Sequence, residues 1–341
     1  MTMLADQVDA VIGVDTHKAS HTAAVVTPTG GATGHLTVSS NALGAKRVLA
    51  FARRHAPARR VWAIEGTGSF GAGLTTYLLE RGEWVVEIDR PKRPARRNGA
   101  KSDELDAVRA AREALSREHL AQPRRRGSRE ALRVLLVTRE GAVVERTRAV
   151  SALQALVVNA PEQLRDRLRH LGTRELVLRC ARLRSSPTRS LEHRATIAAL
   201  RSTARRTLVC EAEATDLESA LEDIVMQERP QLLAEPGVGV ITAATILDAW
   251  SHTGRIRSEA AFAMLAGVAP IPASSGQTVR HRLNRAGDRQ LNRALHTIVL
   301  SRLQHDTDTR AYAERRRAEG RTDREIRRCL KRFVARGLFR L

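Results

Sequence analysis

Apolar positions in the first hundred residues come in short bursts separated by turn residues. Residues 11–15 (VIGVD) form a run that ends on an acid, and residues 21–31 (HTAAVVTPTGG) give a second strand closed by Pro and Gly. Residues 34–40 (GHLTVSS) read as a third strand, and Ser40 or Asn41 caps a helix through residues 44–55. A fourth strand, RVWAIEGTG (60–68), ends in a Gly-rich turn. A helix follows over FGAGLTTYLLERG (70–82), with Gly82 as its stop. EWVVEID (83–89) is a fifth strand and residues 91–101 are a basic loop, after which Ser102 caps the helix SDELDAVRAAREAL.

Three meandering strands followed by alternating helix and strand is the order of a ribonuclease-H-like α/β layer, which predicts a first domain over residues 1–125. From 126 to 230 the period changes to that of amphipathic helices. Leu132, Leu135, Leu136, Val143, Leu153 and Leu156 recur at helical spacing, and a second run passes through Ile197, Leu200, Leu208, Leu217 and Leu221. A break near residues 184–190 (RSSPTRS) makes these an antiparallel hairpin or coiled coil. The last segment, 231–341, opens with LLAEPGVGVITAATILDAW, a helix-hairpin-helix pattern whose glycines would bring backbone N–H groups to a DNA phosphate. Helices follow over 258–267, from about 288 to 304 and from 309 onward, with a Pro/Ser/Gly loop at 269–278. The expected fold is therefore α/β plus all-α, in three segments.

Charge narrows the function. The 341 residues carry 58 Lys plus Arg against 37 Asp plus Glu, a formal charge of +21. Such an excess calls for a polyanionic partner, most commonly nucleic acid. Nearly all of it is arginine, whose planar fork suits phosphate oxygens, although a GC-rich genome gives the same bias. Aromatics make up 3%, too few for recognition by stacking single-stranded bases. Cys180, Cys210 and Cys329 are far apart and form neither a disulfide framework nor a zinc pattern, so a reducing cytoplasm is the expected setting. No apolar run approaches the length of a membrane span, and the N-terminus lacks the basic flank of a signal peptide.

Four acids stand out against this background. Asp15 and Glu65 end the first and fourth strands, which are neighbours in a ribonuclease-H-like sheet. Asp103 and Asp106 lie three apart on one helix and face the same way. A lone strand-end Asp usually serves a turn, and an acid pair opening a helix usually serves its dipole. Four together, in so basic a chain, suit two Mg²⁺ ions placed for phosphoryl transfer. His17 and Lys18 follow Asp15 closely, open to a turn role or a place near the metal.

The segments VIGVDTHK, WAIEGTGSFG and VVEIDRPKRPARRNGAKSDELDA, in that order, resemble the DEDD transposases of insertion sequence family one-ten, relatives of the pilin-gene inversion recombinases with a RuvC-like catalytic domain. EPGVGVITAATIL, AFAMLAGVAPIPASSG and HRLNRAGDRQLNRAL resemble the C-terminal transposase domain of the same family. The resemblance implies that Asp15, Glu65, Asp103 and Asp106 are the metal-binding tetrad, and that a serine before Gly276 is the nucleophile. Ser275 fits best, with Ser274 as the fallback. It further implies a homo-oligomer, a dimer or tetramer in which one subunit's acids serve another's serine, and a structured guide RNA beside the DNA of the element ends and target.

Basic residues flank both halves of this chemistry: Arg93, Arg96 and Arg97 before the paired aspartates, and Arg280, Arg282 and Arg285 after the serine. A terminal run of Arg324, Arg327, Arg328, Lys331 and Arg332 makes a cationic helix face. The expected activity is Mg²⁺-dependent strand cleavage and exchange through a serine–DNA phosphodiester. The competing readings are a hydrolytic RuvC-like junction resolvase using the tetrad alone and a non-catalytic nucleic-acid-binding protein.

Overall fold

A computed structural model describes residues 3–88, 102–118, 120–274, 281–284 and 287–341. It divides into two compact units, 1–126 and 127–341.

The N-terminal unit runs α1 (Leu4–Gln7), β1 (Ala10–Thr16), β2 (Ser20–Val26), β3 (Ala32–Ser39), α2 (Ala42–His55), β4 (Arg60–Glu65), α3 (Ala72–Leu79), β5 (Val85–Ile88) and α4 (Asp103–Leu115). The five strands form one sheet in the order β3-β2-β1-β4-β5. The β1–β2 and β2–β3 pairs are antiparallel, whereas β1–β4 and β4–β5 are parallel. This mixed sheet fits the expected ribonuclease-H-like layer. Caps fall where the residue chemistry places them: the Asn41 side chain accepts the Gly44 N–H, and the Ser102 hydroxyl accepts the Leu105 N–H.

Strand alternation sorts the β1 side chains onto two faces. Ile12 and Val14 join Val48, Leu49, Leu74 and Leu78 in a core beneath α2 and α3. Val11 joins Val61, Ala63, Ala111 and Ala114 beneath α4. The charged edge of the unit is fixed by Glu83, whose carboxylate accepts Arg60 Nη2 at 2.6 Å, Arg60 Nε at 2.8 Å and the Trp62 indole N–H at 2.9 Å. Burial pushes the Glu83 carboxyl up, but these hydrogen bonds and the Arg60 and Arg53 charges outweigh it and hold it below the usual glutamate value.

The C-terminal unit runs α5 (Ser128–Val158), α6 (Glu162–Leu168), α7 (Thr173–Ala181), α8 (Leu191–Glu228), α9 (Gln231–Ala234), α10 (Val240–Trp250), α11 (Glu259–Leu265), β6 (Ile271–Pro272), β7 (His281–Arg282), α12 (Arg289–His305), α13 (Thr307–Ala318) and α14 (Asp323–Phe339). The first helical run breaks at Asn159–Pro161 and again at Gly172, so the expected first helix becomes α5, α6 and α7. Helices α5 and α8 run antiparallel: Arg139 pairs with Glu218 at 2.7 Å and Arg146 with Glu211 at 3.2 Å, so advancing seven residues on one helix retreats seven on the other. One end of this pair, with Leu132, Leu221 and Val225, shares a core with Phe262, Leu291, Leu295 and Leu330. The other end, with Leu153, Val157, Ile197 and Leu200, closes over α6 and α7. Among the described residues no helix is long and apolar enough to cross a membrane.

Candidate functional site

The β1 alternation that sends Val11 toward α4 also carries Gly13 and Asp15 to that face, with His17 in the turn just after the strand, and the matching face of β4 carries Val61, Ala63 and Glu65. Val14 pairs with Ile64, so the next residues, Asp15 and Glu65, end neighbouring strands side by side. The Thr16 hydroxyl ties these ends by donating to the Glu65 carbonyl at 2.9 Å. Gly66 then turns the chain with φ +69, a conformation a side chain rarely adopts.

Helix α4 reaches this edge because of small residues. Ala107, Ala110, Ala111 and Ala114 form its buried stripe. A Cβ at Gly13 would lie 1.9 Å from the Ala107 carbonyl oxygen and 2.8 Å from the Ala111 nitrogen. Glycine on β1 therefore allows the helix to lie against the strand, and the first turn of α4 delivers its acids to the strand ends. His17 Nε2 sits 3.1 Å from Asp15 Oδ2 and 3.4 Å from Asp103 Oδ1. One donor atom from each of Asp15, His17 and Asp103 falls within 4.8 Å of the others. Asp106 is turned to Arg109, whose Nη1 donates to its carboxylate at 2.6 Å, and Glu104 is turned to His35 at 2.9 Å.

Burial pushes the Asp15 carboxyl above its usual value; the Asp103 and Asp106 charges raise it further and His17 offsets only part. Crowded, partly desolvated carboxylate oxygens with one imidazole are a donor set that fits a hard divalent cation. Of the sequence candidates, Asp15 and Asp103 meet in this cluster. Asp106 lies close enough to act on Asp15 electrostatically, and Glu65 stands on the adjacent strand end. His17, left open by the sequence, is in the cluster. Its sequence signal was only its closeness to Asp15; its contact with Asp103 joins residues far apart in the chain.

A second feature lies in the C-terminal unit. Strands β6 and β7 pair Ile271 with Arg282 and Pro272 with His281, forming the stem of a hairpin. Beside that stem a cavity of about 780 Å³ is lined by Arg282, Arg328, Lys331 and Arg332, with Asn284 and Phe333. Arg332 is neutralised by Glu259 at 2.7 Å, whereas Arg282 and Arg328 have no carboxylate partner among the described residues. Lys331 Nζ donates to Asn292 Oδ1 at 3.1 Å; burial, with the Arg328 charge, pushes its pKa down. Part of the expected terminal basic face thus gathers with Arg282 around one cavity. Ser274 is exposed near the stem, while Ser275, Arg280 and Arg285, like Arg93, Arg96 and Arg97, lie outside the described residues.

The Pro-Gly-x-Gly turn is engaged internally. Arg302 Nε donates to the Pro236 carbonyl at 2.7 Å, and the Gly239 N–H donates to Thr242 Oγ1 at 3.0 Å. Helix α9 before the turn is four residues long, shorter than the partner a helix-hairpin-helix calls for.

Comparison with known proteins decides the family. Residues 12–160 match the family model for the DEDD transposase of IS110, and residues 230–314 match the model described as transposase, IS116/IS110/IS902 family. The chain belongs to the IS110 family of transposases. A 42 kDa protein of insertion element IS900 from Mycobacterium paratuberculosis is 29% identical over 312 residues, covering 76% of this chain and 77% of that protein. A 43.6 kDa protein of insertion element IS110 from Streptomyces coelicolor is 37% identical over 94 residues, covering 27% of this chain and 23% of that protein. The family makes this a DNA-acting, strand-transferring enzyme, and its DEDD domain is the part that holds the acidic cluster.

Proposed function

We propose that the protein cleaves and exchanges DNA strands of an insertion element, with Asp15, Glu65, Asp103 and Asp106 as the acidic site and Ser275 as the nucleophile. The observation that carries this reading is the convergence of Asp15, His17 and Asp103 at the strand ends of a chain whose family is transposase. A divalent cation held by these oxygens, magnesium by the resemblance, would neutralise the phosphate and favour an ionised attacking oxygen.

The residues of the chain divide the remaining work. Partial burial of Asp15 and the Asp103 charge beside it leave the pair in want of positive charge, so they recruit and orient it at the end of a rigid sheet. His17 fills the gap between the two carboxylates and fixes their separation. The cationic cavity beside the β6–β7 stem holds the phosphate backbone near the segment that carries Ser275. The Ser275 hydroxyl gives up its proton and its oxygen bonds to phosphorus. The bridging P–O bond breaks, and the departing strand end takes a proton as a free hydroxyl. A second strand end then attacks the phosphoserine and releases the serine, so the phosphodiester count is unchanged and no nucleotide triphosphate is spent. In line with the resemblance, the acids and the serine come from different subunits of an oligomer, and a structured guide RNA selects the DNA.

The test is to trap a covalent protein–DNA adduct on cognate element ends with magnesium and map the attached residue. An adduct at Ser275, lost in Ser275→Ala and in Asp15→Asn, supports the reading. Cleavage that persists without either Ser274 or Ser275 replaces it with the hydrolytic resolvase, and absence of any metal-dependent cleavage leaves only a binding protein.

A further inference from the structure

Far from the β6–β7 stem, α6, α7, the 182–190 loop and the first turns of α8 surround a cavity of about 660 Å³. Arg167, Arg179, Arg182, Arg184, Arg189 and His193 line it, and Glu175 is its only acid. None of these five arginines has a carboxylate partner among the described residues. On the neighbouring helix α5, by contrast, Arg139 is bound to Glu218, Arg146 to Glu211 and Arg129 to Asp248. The floor is firm, since Leu164 and Ile197 line the cavity and are also buried members of the distal core. The 38-residue α8 begins here, and its N-terminal dipole adds to the positive field.

We infer that this cavity is a second DNA-binding site, a clamp for the phosphate backbone of a duplex apart from the cavity beside the β6–β7 stem. Unpaired guanidiniums that converge on one concave surface repel one another, and an arrangement of this kind is stabilised by an anion. Phosphate is the anion that arginine matches with two parallel hydrogen bonds. The lining holds no Phe, Tyr or Trp, which disfavours base stacking and leaves backbone contact. Five arginines against one acid offer more positive charge than a single small anion neutralises, which favours the repeated phosphates of a duplex. The inference rests on DNA being the substrate, which the family supplies, and not on the serine chemistry.

The test uses the full chain with Arg179→Gln, Arg182→Gln and Arg184→Gln together, and a random-sequence DNA duplex of about four helical turns. Affinity is measured across a salt series. Each lost phosphate contact removes about 0.9 from the slope of log affinity against log salt, so the slope should shrink by about 2 to 3. The corresponding triple Arg→Lys variant keeps the charge and should retain most of the slope. It also serves if the Gln variant fails to give native circular dichroism. The proposal is overturned if slope and affinity are unchanged in a folded Gln variant, or if the Lys variant binds as poorly as a folded Gln variant. It is equally overturned if only binding of an RNA duplex falls, or if the oligomeric mass changes while the DNA slope does not. Cleavage of cognate ends that survives at saturating DNA would leave the serine reading standing whichever way this test falls.

Discussion

In the N-terminal unit Asp15 and Asp103 crowd around His17 at the end of a sheet, whereas in the C-terminal unit Arg282, Arg328 and Lys331 ring a cavity and five more arginines ring another. Other charges in both units are paired within the protein: Glu83 is held by Arg60, Arg129 by Asp248, Arg302 by Glu235 and Glu259 by Arg332 and Arg336. The two kinds of cluster call for ligands of opposite sign: cations for the first unit, phosphates for the second. The supporting structure differs as well. The acids sit on strand ends and on a helix pressed against a glycine, while the cations ride on helices and a short hairpin.

The largest expected effect comes from removing one charge from the acidic site. Asp15→Asn keeps the shape of the side chain and loses its ability to hold a cation. If the site acts as proposed, it supplies several kcal/mol to a phosphoryl-transfer transition state, and strand cleavage should fall by on the order of 10³-fold or more. DNA affinity should hold or rise, because a negative charge is gone. Wild-type cleavage by this variant would break the assignment of unmatched acid to catalysis, and lost DNA binding would break the division of labour between the units.

Next comes the charge pair that is matched. Glu83→Gln leaves the half-buried Arg60 without its counter-charge, and breaking such a pair costs about 3 to 5 kcal/mol. Because the folded Glu83 carboxyl lies below the ordinary glutamate value, its stabilising contribution is complete above that value. It is lost as pH falls through the folded value. Wild type should therefore lose stability in acid more steeply than Glu83→Gln. Hydrogen exchange should show the loss in β1 and β4 peptides and not in those of α10 and α12. Equal loosening of both sets would mean the two units do not fold as separate bodies.

A third variant separates position from charge. Gly13→Ala alters no ionisable group, yet its methyl would enter the α4 backbone. Overpacking of this kind costs about 1 to 3 kcal/mol. The strain is relieved by moving α4, and with it Asp103, away from Asp15. Cleavage should drop well beyond what the stability loss explains, read as kcat at temperatures where the variant is fully folded. Unchanged kcat would show that the acids tolerate displacement.

Much of this was legible in the chain, and what was missed has physical causes. The strand order followed from turn residues and alternation, and Asn41, Ser102 and Asp288 cap the helices they precede. Asp15, Glu65, Asp103 and Asp106 were legible as acids at element ends. His17 stayed open between a turn and a place near the metal, because it lies just past the end of β1, where alternation no longer fixes the direction of a side chain. Gly13 reads in sequence as a weak strand residue, since its value lies in contact with Ala107, 94 residues away in numbering. The breaks at Pro161 and Gly172 were hidden by an apolar period that continues through them. The arginine cavity was invisible because its lining comes from three helices and a loop, each an ordinary cationic stretch alone.

The smallest expected effect lies in the second unit and checks that it can be weakened alone. Thr242 Oγ1 donates to the Gly239 carbonyl at 2.8 Å and accepts the Gly239 N–H at 3.0 Å, closing the first turn of α10 while itself buried. Thr242→Ala removes this cap and hands the exposed Gly239 N–H to water, at a cost of about 1 kcal/mol. Exchange should quicken in α10 and in the Pro-Gly turn and stay unchanged in β1, β4 and α4. Catalysis should follow only through the folded fraction, with kcat per folded molecule unaltered. If instead DNA affinity fell while α10 stayed protected, the turn would be touching the nucleic acid directly, and the cationic cavities would have to share the phosphate contacts with it.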